Sequence, residues 1–167
     1  VYRLAVVTIP THRPVVRIVE PARVFATREE KYEAVIDEIE RSHRLGKPVL
    51  VGSRTVGASE ELSERLTRKG LPHSVLNAVR HAEEATIIEK AGENGRITIA
   101  TNMAGRGTDI RLKNEVLSLG GLHVISVEFN LSPRIDRQLI GRAGRQGEPG
   151  SARNFLSAED ELFVRFL

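Results

Sequence analysis

Apolar residues in this chain recur at two periods, and the alternation between them outlines the fold. Leu4-Ala-Val-Val-Thr8 is a short apolar run ended by Pro10, and it reads as a strand. Pro14 and Pro21 keep the next stretch extended, because the residue before a proline avoids the helical region. Thr27-Arg-Glu-Glu30 has capping-box spacing. The helix it starts runs to about Leu45, with Tyr32, Val35, Ile36 and Ile39 as its stripe and Gly46 closing it. Pro48-Val-Leu-Val51 is a continuous apolar strand of the kind covered on both faces. The polar turn Gly52–Thr55 leads into a second helix that ends near Gly70 and turns Leu62 and Leu66 inward. A strand at His73–Leu76 follows, then a helix over roughly 80–92 presenting Ala85, Ile87, Ile88 and Ala91. Strands at Arg96–Ala100 and Leu122–Val127, a helix opened by Pro133, a strand at Ala152–Leu156 and a helix from Glu159 toward Leu167 complete the series. Strands alternating with helices predict an α/β chain, a parallel sheet with helices on both faces.

Composition narrows the class. A chain of 167 residues has the size of one domain with a proper core. Its 40% hydrophobic and 28% charged residues are the balance of an ordinary soluble domain. The lack of cysteine excludes disulfides and thiolate metal sites. No apolar run approaches bilayer length, no secretory leader is read at the start, and Val1 in place of Met points to an excised fragment. The net charge of +3 is too small to argue for a phosphate-rich or membrane partner. Five phenylalanines, two tyrosines and no tryptophan are too few for a stacking platform, which argues against nucleic acid as a partner.

Two stretches carry chemistry. In Gln138-Leu-Ile-Gly-Arg-Ala-Gly-Arg-Gln-Gly147, Arg142 and Arg145 are three apart, a spacing that puts both on one face of a helix. Gly141, Gly144 and Gly147 weaken that helix, which makes sense where something must approach closely. A guanidinium pair suits a phosphate chain, being always charged and bidentate; a basic helix end in water is the plainer alternative. In Thr98–Ile110, a buried strand runs into a Gly-rich turn with Gly105 and Gly107, and Arg106 and Asp109 project from the loop at the strand's carboxyl end, where open α/β sheets bind ligands.

These stretches resemble the fifth and sixth motifs of superfamily-2 motors, and more narrowly the second RecA-like nucleotide-binding domain of the SecA preprotein translocase ATPases. Ile9-Pro-Thr-His-Arg-Pro14, Lys47–Gly52, Leu76-Asn-Ala78 with His81, Gly120-Gly-Leu-His123 and Arg134-Ile-Asp136 extend the resemblance along nearly the whole chain in the family's order. It implies a RecA-like, P-loop NTPase-like domain over 26–167, with 1–25 a linker from a preceding motor domain. ATP or ADP with Mg²⁺ would lie between the two domains. Arg142 and Arg145 would reach the β- and γ-phosphates, one of them, with Arg145 favoured, as an arginine finger. Gln138 would hold the arginines or touch phosphate, and Gly105, Arg106, Gly107 and Asp109 would line the nucleotide. Implied partners are the first motor domain, unfolded preprotein and a SecYEG-like membrane channel, with a homodimer of the full-length protein also possible. The implied place is the cytoplasmic face of a bacterial membrane, as a peripheral protein. Phe129, Asn130, Leu131 and Ile140 depart from the family's charged pattern, so an accessory member competes with the housekeeping translocase.

The catalytic set is incomplete. The cradle G-x-x-x-x-G-K-[ST] is absent, since Gly46-Lys47 is followed by Pro48. No acidic pair follows a buried strand, and no His and carboxylate grouping has metal-ligand spacing. The chain alone is therefore expected to be inactive as an ATPase. The alternatives are the second half of a nucleic-acid helicase and a stand-alone regulatory domain. Plain structural roles are expected for His123, for an Arg134–Asp136 pair and for Lys47 as a solvated residue.

Overall fold

A computed structural model describes residues 5, 7–76, 84–101 and 108–166. Their strands are β1 (Ile18–Val19), β2 (Arg23–Phe25), β3 (Val49–Ser53), β4 (Ser74–Leu76), β5 (Ile97–Thr101), β6 (Leu122–Ser126) and β7 (Gly150–Ser157). The helices are α1 (Arg28–Arg44), α2 (Val56–Arg68), α3 (Glu84–Lys90), α4 (Asn114–Ser118), α5 (Pro133–Ile140) and α6 (Glu161–Phe166). The sheet order is β1-β7-β6-β3-β5-β4, with β2 also on β7, and every pairing is parallel.

Buried residues form one cluster on each face. Tyr32, Val35 and Ile39 of α1 and Leu62 and Leu66 of α2 pack with Val49, Val51, Ile97, Ile99 and Phe155. Ile88 and Ala91 from α3 and its end, with Ile110, Leu139 and Ala143, pack with Leu50, Ala100, Val124 and Ala152. β3, β5 and β6 are buried at every position, as parallel strands covered on both faces require. The α/β fold with helices on both faces is as expected.

The capping box is complete: Glu30 N donates to Thr27 Oγ1 at 3.2 Å and Thr27 N to Glu30 Oε2 at 3.3 Å. Other expectations are corrected. Ala5, Val7 and Thr8 lie in no strand, while Leu4 and Val6 of the expected 4–8 strand fall outside the described residues. The 1–25 segment instead supplies β1 and β2, laid along β7 with Ile18 opposite Ser151 and Arg23 opposite Phe155. α4 was not expected: five residues give too little periodicity to read. Lys47 is half-buried rather than solvated, donates to Ser151 Oγ at 3.1 Å, and burial lowers its pKa. His123, by contrast, has the structural role expected of it: it is buried, with Nδ1 2.8 Å from Ser151 Oγ and Nε2 3.4 Å from Glu38 Oε1. Asp136, expected as the partner of Arg134, receives the backbone and side-chain amides of Asn130 at 3.0 and 2.7 Å.

Candidate functional site

α5 brings the arginine stretch onto the sheet. Pro133 opens the helix, and Leu139, in its last turn, fills the space over Gly52: a Cβ there would meet Leu139 Cδ2 at 2.2 Å. The helix ends at Ile140 with Gly141 as its cap. Arg142 lies in the following turn, its amide donating to Leu139 O at 3.0 Å, and Arg145 opens the 3-10 turn Arg145–Gly147. The two arginines therefore do not share a helical face. Gly144 at φ +63° and Gln146 at φ +54° are left-handed and break the repeat between and after them. Gln138 is exposed on the last turn of α5.

The close approach inferred from the glycines is real, but the chain itself makes it. A Cβ on Gly144 would lie 2.7 Å from Arg17 Cβ, and one on Gly147 2.9 Å from Arg13 Cβ. Arg17 Nη1 donates to Ala143 O at 2.9 Å and Arg13 Nη1 to Gln146 O at 3.4 Å. These contacts, 126 and 133 residues apart, carry no signal in a single sequence.

Gly105, Arg106 and Gly107 lie outside the described residues, as does His81. Asp109 is described, and it joins the two stretches: Arg145 Nη1 lies 2.6 Å from Asp109 Oδ1, with the two side chains 40% and 45% exposed. An ion pair this exposed is worth about 0–1 kcal/mol, so a phosphate oxygen can replace the carboxylate at little cost. The expected position at the carboxyl edge is corrected for Asp109, while Arg106 falls outside the described residues. By Arg111 the chain has descended to Gly92, just before β5, where a Cβ would meet Arg111 O at 2.2 Å. Gly144 likewise packs on Gly150, the first residue of β7. The Asp109–Arg145 pair thus lies along the α5 face, toward the end where the strands begin.

Among the described residues, the hollow at the carboxyl end of β3, β6 and β7 is unsuited to phosphate. This hollow of about 290 Å³ is lined by five carboxylates, among them Glu128, Asp160 and Glu161, against the three cations Arg28, Lys31 and Arg54. Lys31 Nζ is ion-paired to Asp160 and donates to Val127 O at 2.8 Å. Arg54 is paired with Glu161, and Arg28 N donates to Glu159 Oε2 at 2.8 Å. Among the described residues no group of three or more His, Asp or Glu side chains is placed to hold a metal ion, and no helix is long and apolar enough to cross a membrane.

The family model for the SecA P-loop domain matches residues 14–117 and 111–167. The chain belongs to the SecA family. It is 57% identical over 162 residues to protein translocase subunit SecA 2 of Magnetococcus marinus, covering 97% of this chain and 25% of that protein. It is 54% identical over 166 residues to the SecA subunit of Caldicellulosiruptor saccharolyticus and 55% to that of Thermotoga maritima, covering 99% of this chain in each case. Those alignments span 20% and 19% of the relatives, so this SecA-family chain corresponds to about a fifth to a quarter of their length. Among solved structures, the E. coli DEAD-box protein SrmB bound to RraA matches at TM-score 0.70 and 22% identity, over 89% of this chain and 82% of that one. The yeast DEAD-box splicing factor Prp28 matches at TM-score 0.70 and 20% identity, over 95% and 33%. At these identities the likeness shows the fold, which is RecA-like α/β.

Proposed function

We propose that this chain is the second nucleotide-binding domain of a SecA-type, ATP-driven protein translocation motor. In this reading it supplies Arg142 and Arg145 to an ATP site shared with a first RecA-like domain. The carrying observation is the Asp109–Arg145 contact, which brings both motif stretches into one patch with an exchangeable partner on the arginine. The sequence contains no phosphate cradle of its own, so the cradle and the Mg²⁺ carboxylate belong to the other domain, and Mg²⁺ arrives with the nucleotide. As the domains close, the γ-phosphate takes Arg145 from Asp109, and the guanidinium then stabilises charge developing on the transferred group. Gly105, Arg106 and Gly107 line the nucleotide, and Gln138 supports the arginines. Loss of the γ-phosphate releases the arginine and reopens the cleft. Unfolded preprotein and a membrane channel are the partners that the relatives' designation as protein translocase subunits suggests. The place implied is the inner face of the bacterial membrane.

The test is Arg145→Ala in the full-length polypeptide. Nucleotide binding stays within a few-fold, and ATP turnover falls by about 10³ or more. Wild-type turnover in that variant rejects the assignment. Stimulation by unfolded polypeptide rather than RNA separates this reading from a helicase.

A further inference from the structure

The amino-terminal segment touches the arginine turn at both of its shoulders. Arg17 holds the carbonyl of Ala143, between Arg142 and Gly144, and Arg13 holds that of Gln146, next to Arg145. Ala143 is fully buried, and the Arg17 bond, from a charged donor at 2.9 Å, is the stronger of the two, since the Arg13 bond is exposed and 3.4 Å long. Gly144 and Gly147 leave the gaps that let the segment lie this close. Downstream the segment is anchored: β1 pairs with β7, Glu20 N donates to Ala152 O at 2.8 Å, and Glu20 is ion-paired to Arg153, which also reaches Glu38 at 3.2 Å. Upstream it stands clear of the core, with Val7 and Ile9 81% and 86% exposed. The segment is thus paired to the sheet through β1, exposed at Val7 and Ile9, and bound to the arginine turn between them.

We propose that Arg13 and Arg17 are positioning residues, and that residues 13–17 form a strap that sets the backbone carrying Arg142 and Arg145. Tension or displacement arriving from the chain before residue 13 then reaches the guanidiniums directly, without passing through the sheet. The device rests on the reading of Arg142 and Arg145 given above. It adds a mechanical input to the nucleotide site from the linker side, distinct from the γ-phosphate itself.

The experiment uses the full-length polypeptide with Arg17→Ala, Arg17→Lys, Gly144→Ala, Arg145→Ala and the Arg17→Ala/Arg145→Ala pair. ATP turnover, KM for ATP and backbone hydrogen exchange are measured for each. Arg17→Ala lowers kcat about tenfold with KM within about threefold, and it speeds exchange of the 141–148 amides about tenfold while β3 exchange is unchanged. Arg17→Lys, which keeps one charged donor for Ala143 O, recovers most of kcat. Gly144→Ala, whose Cβ displaces the strap, reproduces Arg17→Ala. The double variant is no slower than Arg145→Ala. If Arg145→Ala abolishes turnover while Arg17→Ala leaves kcat and 141–148 exchange at wild-type values, the strap proposal is overturned and the arginine assignment stands. If exchange accelerates equally in β3, Arg17 contributes only to global stability and the proposal is also overturned. Normal turnover in Arg145→Ala overturns the arginine assignment itself.

Discussion

Arg145 and Asp109 show what an exposed ion pair can do. The pair contributes about 0–1 kcal/mol at most, too little to matter for folding but enough to hold a guanidinium in place until a phosphate competes for it. That balance sets a prediction. Asp109→Asn removes the competitor, so ATP affinity in the full-length protein tightens by about two- to fivefold, the equivalent of about 0.5–1 kcal/mol, while thermal stability hardly changes. Weaker ATP binding in that variant would show instead that the carboxylate supports the nucleotide directly. The residue types were legible in the sequence, because arginines among glycines have few uses. Their pairing was not, since 36 residues separate Asp109 from Arg145 and their meeting depends on tertiary packing.

At the scale of elements, local rules read well where they are strong. α1 begins at its capping box and buries the stripe its periodicity predicts, and the continuous apolar runs became fully buried strands. Reading failed where tertiary contact decides the backbone. The helix expected to carry the arginines stops at Ile140, and they lie in the turns beyond it, where Gly144 and Gln146 have positive φ and Arg17 and Arg13 bind the backbone. β1 and β2 exist only because β7 offers them a partner. Tyr32, in α1, gives this scale its prediction. Burial chiefly, with the nearby Glu61 carboxylate, pushes its phenol from 10.0 up to about 12, against an opposing hydrogen bond from Arg28. Below pH 10 both folded and unfolded states keep the proton and the contribution is complete. Between about pH 10 and pH 12 only the unfolded chain loses it, so stability falls as pH rises through that window. In denaturant titrations Tyr32→Phe flattens this alkaline decline; an unchanged slope would place the phenol in contact with water.

At the scale of the molecule, ion pairs join the elements around the acidic hollow, while the exposed Asp109–Arg145 pair lies on the α5 face. Lys31 and Asp160 are buried together, their side chains 3% and 7% exposed, joining α1 to the turn after β7. Asp160 also accepts from Ser157 N at 2.8 Å. Removing one partner strands the other in the interior, so Lys31→Ala costs about 3–5 kcal/mol of stability in chemical denaturation, and a loss under about 1 kcal/mol would show that water reaches Asp160. The described hollow at the carboxyl edge is thus acidic, while the arginines proposed to meet phosphate lie on the turn that Arg13 and Arg17 contact. Arg145 is proposed to serve the transferred phosphoryl group of a nucleotide held mainly by another domain, and interactions of that kind show in the affinity for a transition-state mimic. The direct measurement is the affinity of full-length Arg145→Ala for ADP alone and for ADP with aluminium fluoride and Mg²⁺. Affinity for the aluminium fluoride complex falls by about 100-fold or more while that for ADP stays within about threefold. Equal, small changes for both ligands would contradict the account.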